Sequence, residues 1–212
     1  MVRTSQLVVM AAAVTVLLAA CSSHAAPLKI GDAAPDWSGI KAVDDKEHSL
    51  SEYKKAKLVV LVFTCNHCPV AKIYEDRLIA LQKDYGKKGV QVVAVCSNSV
   101  KIVPADSFEK MKDRAEGKDL GGWREKKGPF NFPYLQDATQ KMANDYGAKV
   151  TPHVFVLCKE RKIAYVGAVD DNNNAKNVED KYLRGALDAF LAGKQPAKAE
   201  TKPRGCSVKY EK

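Results

Sequence analysis

Leu58-Val59-Val60-Leu61-Val62-Phe63-Thr64-Cys65-Asn66-His67-Cys68-Pro69 decides how this chain reads. Six consecutive apolar residues from Leu58 to Phe63 describe a strand buried on both faces. Two cysteines spaced by two residues follow at once. Pro69 suits the first turn of a helix, where the N–H it lacks has no intrahelical partner. Beyond it, Val70, Ile73, Tyr74, Leu78, Leu81 and Tyr85 share one helical face, which Gly86 ends. Val90-Gln91-Val92-Val93-Ala94-Val95-Cys96 is a second buried strand. Strand, helix and strand within about 40 residues form a βαβ unit on a parallel sheet.

Downstream, Pro104 opens a helical segment carrying Phe108, Met111 and Ala115 and closed by Gly117. Residues 117–131, with Trp123 and Pro129, are a long loop, and such loops are often functional. Phe132 to Leu135 is a short extended piece, and Asp137 is predicted to cap a helix with Met142, Ala143 and Tyr146 that ends at Gly147. Val150-Thr151-Pro152-His153 then leads into an antiparallel hairpin of Val154–Cys158 and Ile163–Gly167. Asn177 is predicted to cap a last helix that buries Leu183, Ala186, Leu187, Phe190 and Leu191. Upstream, the turn-rich stretch from Gly31 to Tyr53 holds two short apolar pieces that predict an N-terminal hairpin. The fold class is α/β, with one domain over 31–193, a linker over 21–30 and a basic polar tail over 194–212.

A chain of 212 residues, 46% hydrophobic and 28% charged, buries a real core and is not disordered, collagenous or a multi-span membrane protein. Its net charge of +9 suggests nucleic acid, but the distribution argues otherwise. Six basic residues after Gly193, against Glu200 and Glu211, concentrate the excess in the tail. The body intersperses both signs, a solvated surface rather than a groove for phosphates. Residues 1–20 read as an export signal, with Arg3 ahead of an uncharged apolar run from Leu7 to Ala20 that is too short to span a bilayer. Leu18-Ala19-Ala20-Cys21 resembles the lipobox of bacterial lipoproteins, which would place a lipid on Cys21. Ordinary cleavage after Ser23-His24-Ala25 is the alternative. Either way the mature chain is expected outside the cytoplasm, where disulfides persist.

Cys65 and Cys68 carry the chemistry. A helix N-terminus offers unpaired N–H groups and partial positive charge, which favour thiolate over thiol. The expected sequence of events has Cys65 attacking a partner disulfide and Cys68 resolving the mixed intermediate. A structural zinc site would need a second ligand pair downstream, and none is spaced for it, so neither metal nor cofactor is expected.

The layout from Gly31 to Gly193 resembles the thioredoxin fold, specifically extracytoplasmic redoxins of the alkyl hydroperoxide reductase/thiol-specific antioxidant superfamily. Its landmarks here are the Cys65–Cys68 motif after the first core strand and Thr151-Pro152 opening the hairpin. The resemblance implies a central mixed sheet flanked by helices, with an N-terminal hairpin and a helical insertion between Cys96 and Phe132. It implies a cis Pro152 packed against the disulfide, and a Thr151 backbone offered to a substrate peptide. The implied partners are protein thiols or disulfides and a membrane or periplasmic redox protein, with the chain in the bacterial envelope. Three departures matter. Val59 stands where ordinary thioredoxins place an acid, and Thr64 where they place tryptophan. Val62 and Leu58 occupy the positions of the threonine and proline of peroxiredoxins, so peroxidase activity is not expected. Asn66-His67 resembles the dipeptide setting of periplasmic disulfide-forming oxidases, where histidine stabilises the thiolate; a surface histidine is the other reading.

Cys96 and Cys158 read as small hydrophobes of strands. Cys206, in Gly205-Cys206-Ser207, is either a third redox thiol folding back or an intermolecular or capped one. Asp170-Asp171-Asn172-Asn173-Asn174 lacks the glycine and glutamate of an EF-hand and reads as a polar turn. The alternative function is a copper-delivery module of the same fold, with Cys65, Cys68 and His153 as soft ligands. The cysteine spacing, two residues where such modules have three, counts against it.

Overall fold

The computed structural model describes residues 27–118 and 128–211. The export signal, Cys21 and most of the 21–30 linker lie outside the described residues, as does Trp123 of the long loop. Among the described residues no helix is long and apolar enough to cross a membrane.

β1 (Ile40–Lys41) and β2 (Glu47–His48) pair antiparallel as the expected N-terminal hairpin. β3 (Leu58–Thr64) is central, with β4 (Val90–Cys96) parallel on one side and β5 (Tyr134–Gln136) parallel beyond that. β6 (Val150–Thr151) stands outside this sheet, while β7 (His153–Leu157) pairs antiparallel with the other side of β3, and β8 (Ile163–Gly167) with β7. The order β5-β4-β3-β7-β8 is a mixed sheet, as expected.

Alternation along β3 explains why its six apolar residues are all buried. Leu58, Val60 and Val62 face one core with Tyr74, Leu78 and Leu81 of α1 (Pro69–Tyr85) and Met111 of α2 (Phe108–Ala115). Val59, Leu61 and Phe63 face the other with Trp37, Phe155 and Tyr146 of α3 (Lys141–Tyr146). Each such side chain contributes roughly 1.5–3 kcal/mol. α4 (Tyr182–Leu191) joins the first core through Leu183, Ala186 and Leu187. The α2 helix is the helical insertion after Cys96.

Three expectations need correction. α3 begins at Lys141, but Asp137 still serves it from a distance: its Oδ2 accepts the Ala143 N–H at 3.0 Å. α4 begins at Tyr182 rather than after Asn177, because Asn177 closes a separate 3-10 turn that Asn174 caps. The Leu183 N–H instead donates to Val169 O, pinning the helix start to the sheet end.

The third concerns residues 194–212, which do not trail away from the domain. Val166 N–H donates to Ala199 O and Thr201 N–H to Val166 O, so the segment runs along β8. β9 (Cys206–Ser207) then pairs antiparallel with β6, and Val208 is buried in the second core. The segment is basic, but its placement comes from backbone pairing, to which side-chain polarity is blind.

Candidate redox site

Thr64 ends β3, and the chain turns through Cys65-Asn66-His67 so that Cys68 caps α1, with Pro69 at its first position. The Cys68 carbonyl accepts the Lys72 N–H at 3.1 Å, the first bond of the helix. Both sulfurs are covered, Cys65 being 1% exposed and Cys68 0%. Thr151 lies against them. Its Oγ1 is 3.2 Å from Cys65 Sγ, and Cys68 Sγ, when a thiol, donates to its carbonyl at 3.5 Å. The Thr151–Pro152 bond is cis, as the resemblance implies.

The loop is held by a residue that sequence reasoning missed. Asp106, completely buried, directs its carboxylate at the backbone of the motif. Oδ1 accepts the Asn66 N–H at 2.7 Å and the His67 N–H at 3.0 Å. Oδ2 accepts from His67 Nδ1 at 2.7 Å and from Asn98 Nδ2 at 2.8 Å. Asn66 is buried in turn, donating to Ala105 O and accepting from Tyr134 Oη. His67 is thus neither a free surface residue nor a lone neighbour of sulfur; it is tied to Asp106. The only signal for Asp106 is an acid soon after Pro104, some 40 residues from the motif, and nothing local connects the two.

The electrostatics divide the pair. The Cys68 thiol is held down to about 4, first by hydrogen bonding from Cys65 and, against burial, by Cys206 and the Ala71 N–H. Cys65 is pushed up, by its bond to Cys68, by burial and by the charge of Asp106. Sequence reasoning gives Cys65 the attacking role, whereas the surroundings favour the thiolate form at Cys68 over Cys65. The largest cause at Cys68 is its hydrogen bond with Cys65, to which Cys206 and the Ala71 N–H in the first turn of α1 add.

Cys206 is brought to the site: its Sγ lies 2.6 Å from Cys68 Sγ, and burial with the neighbouring Cys68 raises its thiol to about 11. The five cysteines of the described residues are all free thiols. Cys96 is buried in the first core and pushed up to about 12 by burial. Cys158 lies past the end of β7, in the hairpin turn rather than in a strand.

The copper set is not assembled. His153 pairs in register with Phe63, and strand alternation turns its ring onto Phe155, 4.6 Å away, on the second core's side of the sheet. Burial lowers it to about 4. Cys65, His67 and Asp106 do converge within 4.8 Å. Both Asp106 oxygens, however, already accept two N–H groups each, so a metal there would have to displace buried hydrogen bonds. The Asp170–Asn174 turn is occupied too, with Arg77 donating to Asp170 and to the Asn172 carbonyl.

The sequence model of the AhpC/TSA family matches residues 30–166. Peroxiredoxin-2 of Pongo abelii is 30% identical over 145 residues, covering 66% of this chain and 69% of its own. An uncharacterized conserved protein from Geobacillus kaustophilus superposes with a TM-score of 0.76 at 36% identity, over 87% of this chain and 93% of that one. A thiol:disulfide interchange protein from Bacteroides sp. shares the fold, with a TM-score of 0.57 at 21% identity, over 78% and 92% of the two chains.

Proposed function

Since the chain belongs to the AhpC/TSA family, we propose that it is a thiol–disulfide oxidoreductase using Cys65 and Cys68 as a reversible dithiol pair on protein thiols or disulfides. The observation that carries this reading is Cys68 as the N-cap of α1, with Cys65 just past the end of β3 and both sulfurs against Thr151 beside the cis Pro152. The thiolate attacks one sulfur of a partner disulfide, forming a mixed disulfide and expelling the other partner sulfur as thiolate. The second cysteine, losing its proton, displaces the mixed bond. The Cys65–Cys68 disulfide closes, the partner leaves as a dithiol, and two electrons have passed to it. Run backwards, the same steps oxidise a partner.

The direction follows from what stabilises the reduced form. A thiolate held far below the ordinary thiol range favours the dithiol, so the disulfide is a good oxidant. Asp106 and His67 act as positioning residues, fixing the loop from beneath. Thr151, cis to Pro152, offers its backbone edge to a partner peptide.

Peroxide is not the proposed substrate. Leu58 and Val62 stand where peroxiredoxins carry proline and threonine, and both are buried hydrocarbon facing the first core. The envelope location, with a lipid on Cys21, rests on residues 1–21 alone. Reduction of insulin disulfides and consumption of hydrogen peroxide, measured side by side on wild type and Cys65→Ser, test the assignment. Cysteine-dependent insulin turnover without peroxide turnover supports it, and the reverse pattern overturns it.

A further inference from the structure

Residues 205–208 lie along the edge that the proposed function assigns to a partner. Thr151 pairs with Cys206 and Val150 with Ser207, antiparallel. The approach is very close: a Cβ at Gly205 would stand 1.9 Å from Thr151 O and 3.2 Å from Pro152 N, so glycine is required there. Beyond the strand, Val208 is buried, and the Lys209 N–H donates to Oδ1 of Asn98, the residue whose Nδ2 holds Asp106. Cys206 is therefore fixed on both sides. Its Sγ is 2.6 Å from Cys68 Sγ, where a disulfide bond is about 2.05 Å.

We infer that Cys206 is a third redox thiol that exchanges with the Cys65–Cys68 pair by bonding to Cys68, and that residues 205–208 occupy the site as a built-in stand-in for a partner peptide. The inference rests on the reading of Cys65 and Cys68 as a redox pair. In the oxidised chain, the Cys206 thiolate attacks Cys68 Sγ. The Cys68–Cys206 bond forms as Cys65–Cys68 breaks, and the electron pair leaves on Cys65, which takes up the proton that Cys206 gave up. No external oxidant or reductant is consumed. The result is a chain with a free Cys65 thiol and its Thr151 edge closed by its own strand, so a partner peptide has to displace β9 to pair there.

The test is disulfide mapping of the full chain in glutathione/glutathione disulfide buffer, with rapid alkylation and mass spectrometry of peptides. Wild type, Cys65→Ser, Cys206→Ser and the double variant Cys65→Ser/Gly205→Ala are compared. Closure of Cys68–Cys206 in Cys65→Ser, within the monomer and with two glutathiones released per bond, is expected. Adding Gly205→Ala should reduce that closure at least about tenfold, equivalent to about 1.4 kcal/mol. Cys206→Ser should still close Cys65–Cys68. If Cys206→Ser closes its bond while Cys68 and Cys206 stay free or separately glutathionylated in Cys65→Ser, the inference falls alone. If Cys206→Ser cannot close Cys65–Cys68 either, the underlying reading falls with it. Should Cys65→Ser fail to fold, the wild-type map decides: a Cys68–Cys206 peptide sustains the inference and its absence overturns it.

Discussion

Two arms of the chain meet at Cys68, and they are held in opposite ways. The Cys65–Cys68 loop is fixed from inside, by a buried carboxylate that accepts two backbone N–H groups of the motif. The 205–208 strand is fixed from outside, by backbone pairing to a two-residue edge and one buried valine. The first arrangement is costly to alter, because removing an acceptor strands buried donors. The second is held by main-chain bonds, which another peptide can make in its place where it carries a glycine at the position of Gly205. A rigid pair beside a replaceable strand is what the proposed exchange with peptide disulfides requires.

The largest effect should come where both arms depend on one atom. Cys68→Ser removes the shared sulfur and should reduce insulin-disulfide turnover to the uncatalysed rate, with no cross-link to Cys65 or Cys206 in a peptide map. Residual turnover would place the chemistry elsewhere. Asp106→Asn should act first on the internally held arm. Stranding buried N–H donors costs about 1–3 kcal/mol each, so a loss of roughly 2–4 kcal/mol in urea unfolding is expected. Its thiols should also ionise more readily, because the Asp106 charge raises Cys65. Unchanged stability would show that the carboxylate does not hold the loop.

A pH titration sharpens the contrast further. Ultraviolet thiolate absorbance of the reduced chain should show a step near pH 4, absent in Cys68→Ser. Because Cys68 is lowered on folding, the unfolded chain binds its proton first as pH falls. The stability that Cys68 adds to the reduced form is complete above the ordinary thiol range and is lost as pH falls through about 4. Denaturant midpoints of reduced and oxidised protein across that window measure it. The smallest effect should be that of His153→Phe. It should leave the thiolate step in place and lessen the loss of stability between about pH 6.5 and 4, where the buried neutral ring resists protonation that the unfolded chain accepts. A shifted thiolate step would return His153 to the site.

What could be read from the sequence was what is local. A β-rich apolar run, two cysteines, proline and a helical face lie within 28 residues, Leu58 to Tyr85, and each predicts its neighbour. The βαβ unit and the hairpin followed from such runs, whereas the insertion and the place of Thr151 beside the cysteines were implied by the resemblance to redoxins. Asp106 escaped because the motif groups that its Oδ1 holds are backbone N–H groups about 40 residues earlier, which leave no trace in residue type. The fate of 194–212 escaped because lysines and prolines mark polarity, whereas β9 and the run beside β8 are held by main-chain bonds. His153 looked close to the cysteines by number, but one residue past Pro152 it stands on a strand that turns it to the opposite face. Nor did the motif show which sulfur is favoured as thiolate, since that depends on the contacts among Cys65, Cys68 and the distant Cys206.

The most direct measurement is the reduction potential of the Cys65–Cys68 couple, read in the full-length chain by equilibration in thiol buffers, alkylation and mass spectrometry. A thiolate stabilised at the start of α1 predicts a two-electron couple between about −120 and −180 mV. A couple near or below about −250 mV, or no disulfide between these two residues, would contradict the account.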